Sequence, residues 1–143
     1  MSKRCFFCDI QENKSEIFIA ENDEFFARFD KFPVSRGHAE IVPKKHLASF
    51  FELSPEQVLS LYSLIKEAKE LITAKFKPDG FNIGINEGTA AGQSLMHLHV
   101  HLIPRYAGDV KNPSGGVRNV LPGRGDYWRE VKDVKLKDLY LNE

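Results

Sequence analysis

His97, His99 and His101 alternate with Leu98, Val100 and Leu102, and only two other histidines, His38 and His46, occur in the chain. Successive side chains of a strand point to opposite faces. Period-two spacing therefore predicts a strand over Leu95–Pro104 with three imidazoles on one face. Neighbouring rings would stand ~6–7 Å apart, two steps of the strand rise. Such a row can chelate a metal, or divide nucleophilic and proton-transfer work among its members.

The row follows directly on Gly88-Thr-Ala-Ala-Gly-Gln-Ser94. Gly88 and Gly92 allow positive φ and a close backbone approach to a ligand, and Gln93 and Ser94 add neutral donors. The loop has the look of an anion cradle, without the Gly-Lys-Ser/Thr ending of a P-loop. Both cysteines of the chain lie in Cys5-x-x-Cys8. They can be free thiols, a metal half-site or a redox pair, and the last lacks its βαβ context. A bridge between them would close too short a loop to staple a domain.

The elements that must position these residues are legible in outline. Ile17–Glu21 and Phe25–Phe29 are short apolar runs around Asn22-Asp23, which predicts a hairpin. Asp30–Gly37, with Pro33, Ser35 and Gly37, is a connection, and His38–Pro43 a third strand closed by its proline. Ser54-Pro55-Glu56-Gln57 opens the clearest helix, with Ser54 as N-cap, Pro55 in the first helical position and Gln57 reaching back. Val58, Leu61, Tyr62, Ile65, Ala68, Ile72 and Phe76 continue it at helical spacing until Pro78-Asp79-Gly80. Phe81–Asn86 reads as a strand and Glu87–Gly92 as a loop. Beyond Arg105 the chain is rich in Gly and Pro up to Gly125, with a short helix expected near Trp128–Leu141. Antiparallel strands around one long helix predict an α+β domain.

A length of 143 residues suits one domain. With 20 basic and 20 acidic residues there is no overall field for a polyanion, which argues against a nucleic-acid polymer as partner. No apolar run approaches the ~20 residues of a membrane helix. Lys3 and Arg4 are not followed by the apolar stretch of a signal peptide. The expectation is a cytoplasmic protein with no membrane partner.

The stretch Asn86–Arg105, with Gly-Gln-Ser ahead of His-Leu-His-Val-His-Leu-Ile, resembles the signature of the histidine triad (HIT) family. Asp30–His46 and Cys5-x-x-Cys8 are similar to that family too, so the likeness covers about residues 5–105. It implies a HIT-like fold: an antiparallel sheet of about five strands, one long helix and a shorter C-terminal helix, in a single domain over residues 1–143 with a tail from residue 106. It implies that His99 attacks the α-phosphorus of a nucleotide to form a covalent nucleotidyl-histidine that water hydrolyses. His101 would donate to the α-phosphate or the leaving oxygen, and His38 would orient the site. Asn86, Gln93 and Ser94, beside Gly92, would contact the phosphates and departing group, and Asp30 the ribose hydroxyls.

The same resemblance implies a structural zinc on Cys5, Cys8, His46 and His97, no magnesium requirement, and a homodimer with sheets joined across a two-fold axis. The Gly108-Asp109 step and Gly115-Gly-Val-Arg118 are similar to the fragile-histidine-triad-like branch, which implies a dinucleoside polyphosphate hydrolase. A nucleoside phosphoramidate hydrolase, a nucleotide-binding signalling module and a metal hydrolase with zinc on His97, His99 and His101 are the alternatives.

Overall fold

The computed structural model describes residues 4–126. The chain separates into two units, Met1–Tyr106 and Ala107–Glu143, and the first contains all the chemistry considered above. It runs α1 (Phe6–Asn13), β1 (Ala20–Glu21), β2 (Phe25–Phe29), β3 (Ala39–Pro43), α2 (Pro55–Phe76), β4 (Gly80–Ile85) and β5 (Val100–Arg105). The five strands form one sheet in the order β1-β2-β3-β5-β4, antiparallel at every pairing. An α+β fold with a five-stranded antiparallel sheet and one long helix is thus present.

Alternation decides what each sheet face does. Phe25, Ala27, Ala39, Ile41, Val100 and Leu102 pack against Leu61, Leu64, Ala68 and Ile72 of α2. The opposite face carries Phe26 and Val42, which α1 covers with Phe7 and Ile10. Arg28, His38, Glu40 and His101 belong to this second face by the same period of two. Burying one large aliphatic or aromatic side chain contributes ~1.5–3 kcal/mol, so the α2 face anchors the sheet and leaves the other for chemistry.

The local signals behave as their chemistry requires. At α2, Ser54 Oγ accepts from Gln57 N (3.2 Å) while Gln57 Oε1 accepts from Ser54 N (2.9 Å), a complete capping box. In the β1–β2 turn, Asn22 Oδ1 accepts from the amides of Glu24 (3.1 Å) and Phe25 (2.8 Å).

Three expectations change. The first strand shrinks to Ala20–Glu21, with Ile17 exposed. The histidine strand begins only at Val100, because the backbone ahead of it leaves the ladder and Leu98 N donates instead to Leu47 O (2.6 Å). A helix that the sequence reading missed, α1, occupies the N-terminus. The helix expected near Trp128–Leu141 lies outside the described residues. Within the second unit, the described part forms a 3-10 turn over Gly116–Val120, and Arg118 Nε donates to Gly125 O (3.0 Å).

Candidate active site

Hydrogen bonds fix which nitrogen of each histidine carries the proton. A backbone carbonyl can only accept, so where His99 Nδ1 lies 2.9 Å from His97 O that nitrogen is the donor. Neutral His99 therefore holds its lone pair on Nε2. Val34 N donates to His38 Nδ1 (3.2 Å), which leaves the proton of neutral His38 on Nε2. That nitrogen donates to His101 Nδ1 at 2.9 Å, so His101 carries its own proton on Nε2. Burial pulls His38 below the ordinary imidazole value against the opposing charge of Asp30. Burial, then the positive charge His99 and His38 can carry, brings His101 down to about 4. Near neutral pH both are uncharged, as this tautomer chain demands.

The result is a nucleophilic lone pair on His99 and an N–H donor on His101, with ring centroids 5.1 Å apart. Both line a cleft of about 570 Å³ together with Asp30, His38, Asn86 and Ser94. Asp30 Oδ2 lies 3.6 Å from His38 Nε2, and Asp30 Oδ1 accepts from Phe32 N (2.8 Å). Six predicted residues thus converge on one space.

Gln93 and Gly92 do not line it. Gln93 is 5% exposed; its Nε2 donates to Ala48 O (2.8 Å) and Leu95 O (3.2 Å), and its Oε1 accepts from Gly88 N (2.9 Å). Its amide braces the loop. Gly92, at φ 95°, supplies the left-handed turn that carries the loop toward Ser94.

His97 belongs to a different centre. It is fully buried, and its Nε2 donates to Pro43 O (2.8 Å). Its Nδ1 lone pair then faces Cys5 Sγ (3.3 Å), Cys8 Sγ (3.7 Å) and His46 Nδ1 (3.1 Å). Cys5 is the N-cap of α1 and Cys8 lies in its first turn, so one helical turn brings both sulfurs to the same side. The four donor atoms lie within 4.8 Å of one another. Two thiols and two imidazoles in that compass suit a tetrahedral zinc-type ion, with the Pro43 carbonyl orienting one ligand from behind. Burial and then the adjacent Cys5 raise the Cys8 thiol to about 11 without an ion.

His97, His99 and His101 do not gather around one point: the possible metal-holding groups among the described residues are this quartet and Asp30, His38 and His101. A metal hydrolase built on the three alternating histidines loses its geometric basis.

The sequence reading missed Phe6 and Phe7, which sit between the two cysteines and line the cleft. Phe7 is buried, with ring centroids 5.4 Å from His97 and 5.3 Å from His99. An aromatic pair enclosed by a Cys-x-x-Cys was the available signal. It also missed Arg28 and Glu40, buried charges on the cleft face, whose partnership depends on strand register.

Comparison with known proteins agrees with this geometry. An uncharacterised HIT-like protein of Methanocaldococcus jannaschii is 36% identical over 133 residues, covering 92% of this chain and 98% of that one. An adenylylsulfatase of Arabidopsis thaliana is 35% identical over 80% of this chain and 58% of its own. An AP-4-A phosphorylase of Mycobacterium tuberculosis is 33% identical over 73% and 55%. This chain therefore spans little more than half of either enzyme. A HIT family protein from Bacillus anthracis has a similar crystal structure, with TM-score 0.67, 35% identity and coverage of 74% and 76%. A Zn-bound histidine triad family protein from Mycobacterium smegmatis gives TM-score 0.67 at 34% identity, covering 73% and 77%. The HIT domain model matches residues 11–108, and the chain belongs to that family of nucleotide-binding hydrolases and transferases.

Proposed function

We propose that the protein cleaves a nucleotide at its α-phosphorus through a covalent intermediate on His99, with dinucleoside polyphosphates as substrates. The observation that carries this reading is the carbonyl of His97 holding the His99 proton on Nδ1, which leaves Nε2 free to attack. Nε2 bonds to phosphorus as the bond to the leaving oxygen breaks, and the polyphosphate departs as its anion with His101 Nε2–H donating a hydrogen bond to that oxygen. Water then attacks phosphorus and releases a proton to solvent, the P–N bond breaks with its electron pair returning to Nε2, and neutral His99 is restored. Asn86 and Ser94 supply neutral donors where negative charge grows, and Asp30 accepts from the ribose hydroxyls. With these groups the phosphoryl step requires no magnesium.

The relatives named as an AP-4-A phosphorylase and an adenylylsulfatase are almost equally similar, so leaving groups other than a nucleotide, including an amine, belong in the same test. Cys5, Cys8, His46 and His97 hold a structural zinc, supported by the converging donors and the zinc-bound relative. A homodimer is supported by β4, which closes one end of the sheet, and by an apolar groove that includes Tyr62 and Ile83, 64% and 51% exposed. Two such edges would join the sheets across a two-fold axis. We place the protein in the cytoplasm, where cysteines outside any disulfide, as Cys5 and Cys8 are, stay reduced; no helix among the described residues is long and apolar enough to cross a membrane.

The decisive experiment incubates the protein with an α-labelled diadenosine polyphosphate and quenches it. Wild type should carry an acid-labile nucleotidyl adduct, and His99→Gly should carry none and lose turnover while still binding nucleotide. Normal turnover in His99→Gly would falsify the reading.

A further inference from the structure

The cleft contains a buried carboxyl to which the reaction above gives no task. Glu40 pairs across the sheet with Arg28 on β2 and with His101 on β5, so it stands mid-row on the chemical face, next to the proton donor. It lines the cleft and is only 5% exposed. A carboxylate so deeply placed needs strong partners, and one is Arg28, whose Nη1 donates to Oε1 at 2.9 Å.

Arg28 is held independently, because Nε and Nη2 donate to the two oxygens of Glu16 at 2.7 and 2.8 Å. Glu40 is therefore not required to position that guanidinium. Its acidic neighbour in the cleft is Asp30, which lines the same space beside His38. Burial first, then repulsion from Asp30, raises Glu40 to about 7 against the pull of Arg28.

Two carboxyls lining one cleft repel as anions, and the bonds from Arg28 and Phe32 N leave part of their acceptor capacity unused. Turning them toward a ligand cleft is disfavoured unless the ligand brings donors. A pair of adjacent hydroxyls satisfies both acids at once, each O–H donating to one carboxylate. An apolar lining of Phe6, Phe7 and Phe32 beside them suits the organic part of the same ligand. We propose that Glu40 and Asp30 together grip a vicinal diol of the substrate sugar, which makes Glu40 a determinant of preference for ribonucleotides over deoxynucleotides. The inference rests on the nucleotidyl-transfer reading above.

The test compares kcat/KM for diadenosine tetraphosphate with its di(2′-deoxyadenosine) and di(3′-deoxyadenosine) counterparts, using the full zinc-loaded chain. Wild type should favour the ribose substrate by at least ~10-fold, the scale of one hydrogen bond to a charged group. Glu40→Gln, which keeps an acceptor for Arg28, should reduce that ratio several-fold, and Glu40→Leu should bring it close to one. Thermal melting checks folding, and if the leucine variant unfolds the glutamine variant decides. A wild type active on all three probes, with the ratio unchanged in every folded variant, overturns the diol clamp alone. A wild type that cleaves none of them overturns the underlying reading and the clamp with it.

Discussion

His38 Nε2 and His101 Nδ1 lie 2.9 Å apart, and this bond sets which end of His101 can donate to a substrate. Since Val34 N occupies the far nitrogen of His38, neutral His38 has only one donor, and it points at His101. His38→Ala removes that donor and lets the His101 proton return to Nδ1. We expect kcat to fall ~10²-fold, the scale of one lost donor aimed at developing charge, with KM changed much less. His38→Gln, whose amide can donate, should recover part of the rate. Equal losses of kcat in the alanine and glutamine variants would contradict the orienting role.

Acidification tests a second pair of neighbours. His101 titrates near 4 in the fold against an ordinary 6.5. The unfolded chain therefore binds more protons between those values, and stability falls as pH drops through that window. Glu40 acts oppositely: raised to about 7 from 4.5, it binds more protons when folded, so its contribution is full below 4.5 and disappears as pH rises through 7. In wild type the two slopes offset each other between roughly pH 4.5 and 6.5. Glu40→Gln removes the offset, and its Tm should climb more steeply with pH across that range. Parallel wild-type and variant curves would sink this account.

Zinc should behave as part of the fold. The protein purified without added metal is expected to contain about one zinc per chain, and Cys8→Ser or strong chelation should lower Tm. Because thiols must ionise to bind the ion and Cys8 is held near 11 without it, zinc uptake should release protons. Calorimetric titration in buffers of different ionisation enthalpy reads that release directly. A stable protein well below one equivalent would remove zinc from the description.

These neighbours differ sharply in how readable they were. The α2 boundaries follow from local chemistry at Ser54 and Gln57, and the β3 boundary from Pro43, since a cap or a missing donor acts within a few residues. The histidine spacing named the reactive row, but alternation alone could not show that His97 turns its lone pair toward Cys5 and Cys8 while His99 serves the cleft. That split arises from a carbonyl on β3 and from α1, both remote in sequence. The Arg28–Glu40 pair was illegible for the same reason, because partners on adjacent strands appear only when the register is known. Gln93 was not decided by sequence, because a donor beside a glycine loop is equally suited to a ligand and to the loop's own backbone, and its side chain bonds that backbone.

The Phe7 ring approaches both His97 and His99 at about the same centroid distance, 5.4 and 5.3 Å. It is 1% exposed and lies on α1, the helix that begins with the cysteines. Phe7→Ala should destabilise the protein by ~3–5 kcal/mol through the void it leaves, whereas Phe7→Leu, closer in volume, should cost under ~1.5 kcal/mol. The leucine variant is the informative one. If the ring only fills space, zinc content and kcat should both survive the change. If it is the wedge that sets the orientation of both imidazoles, Phe7→Leu should retain its fold, lower kcat by ~10-fold and weaken zinc retention against a competing chelator together. Loss of one property without the other would separate the two centres and reject the wedge.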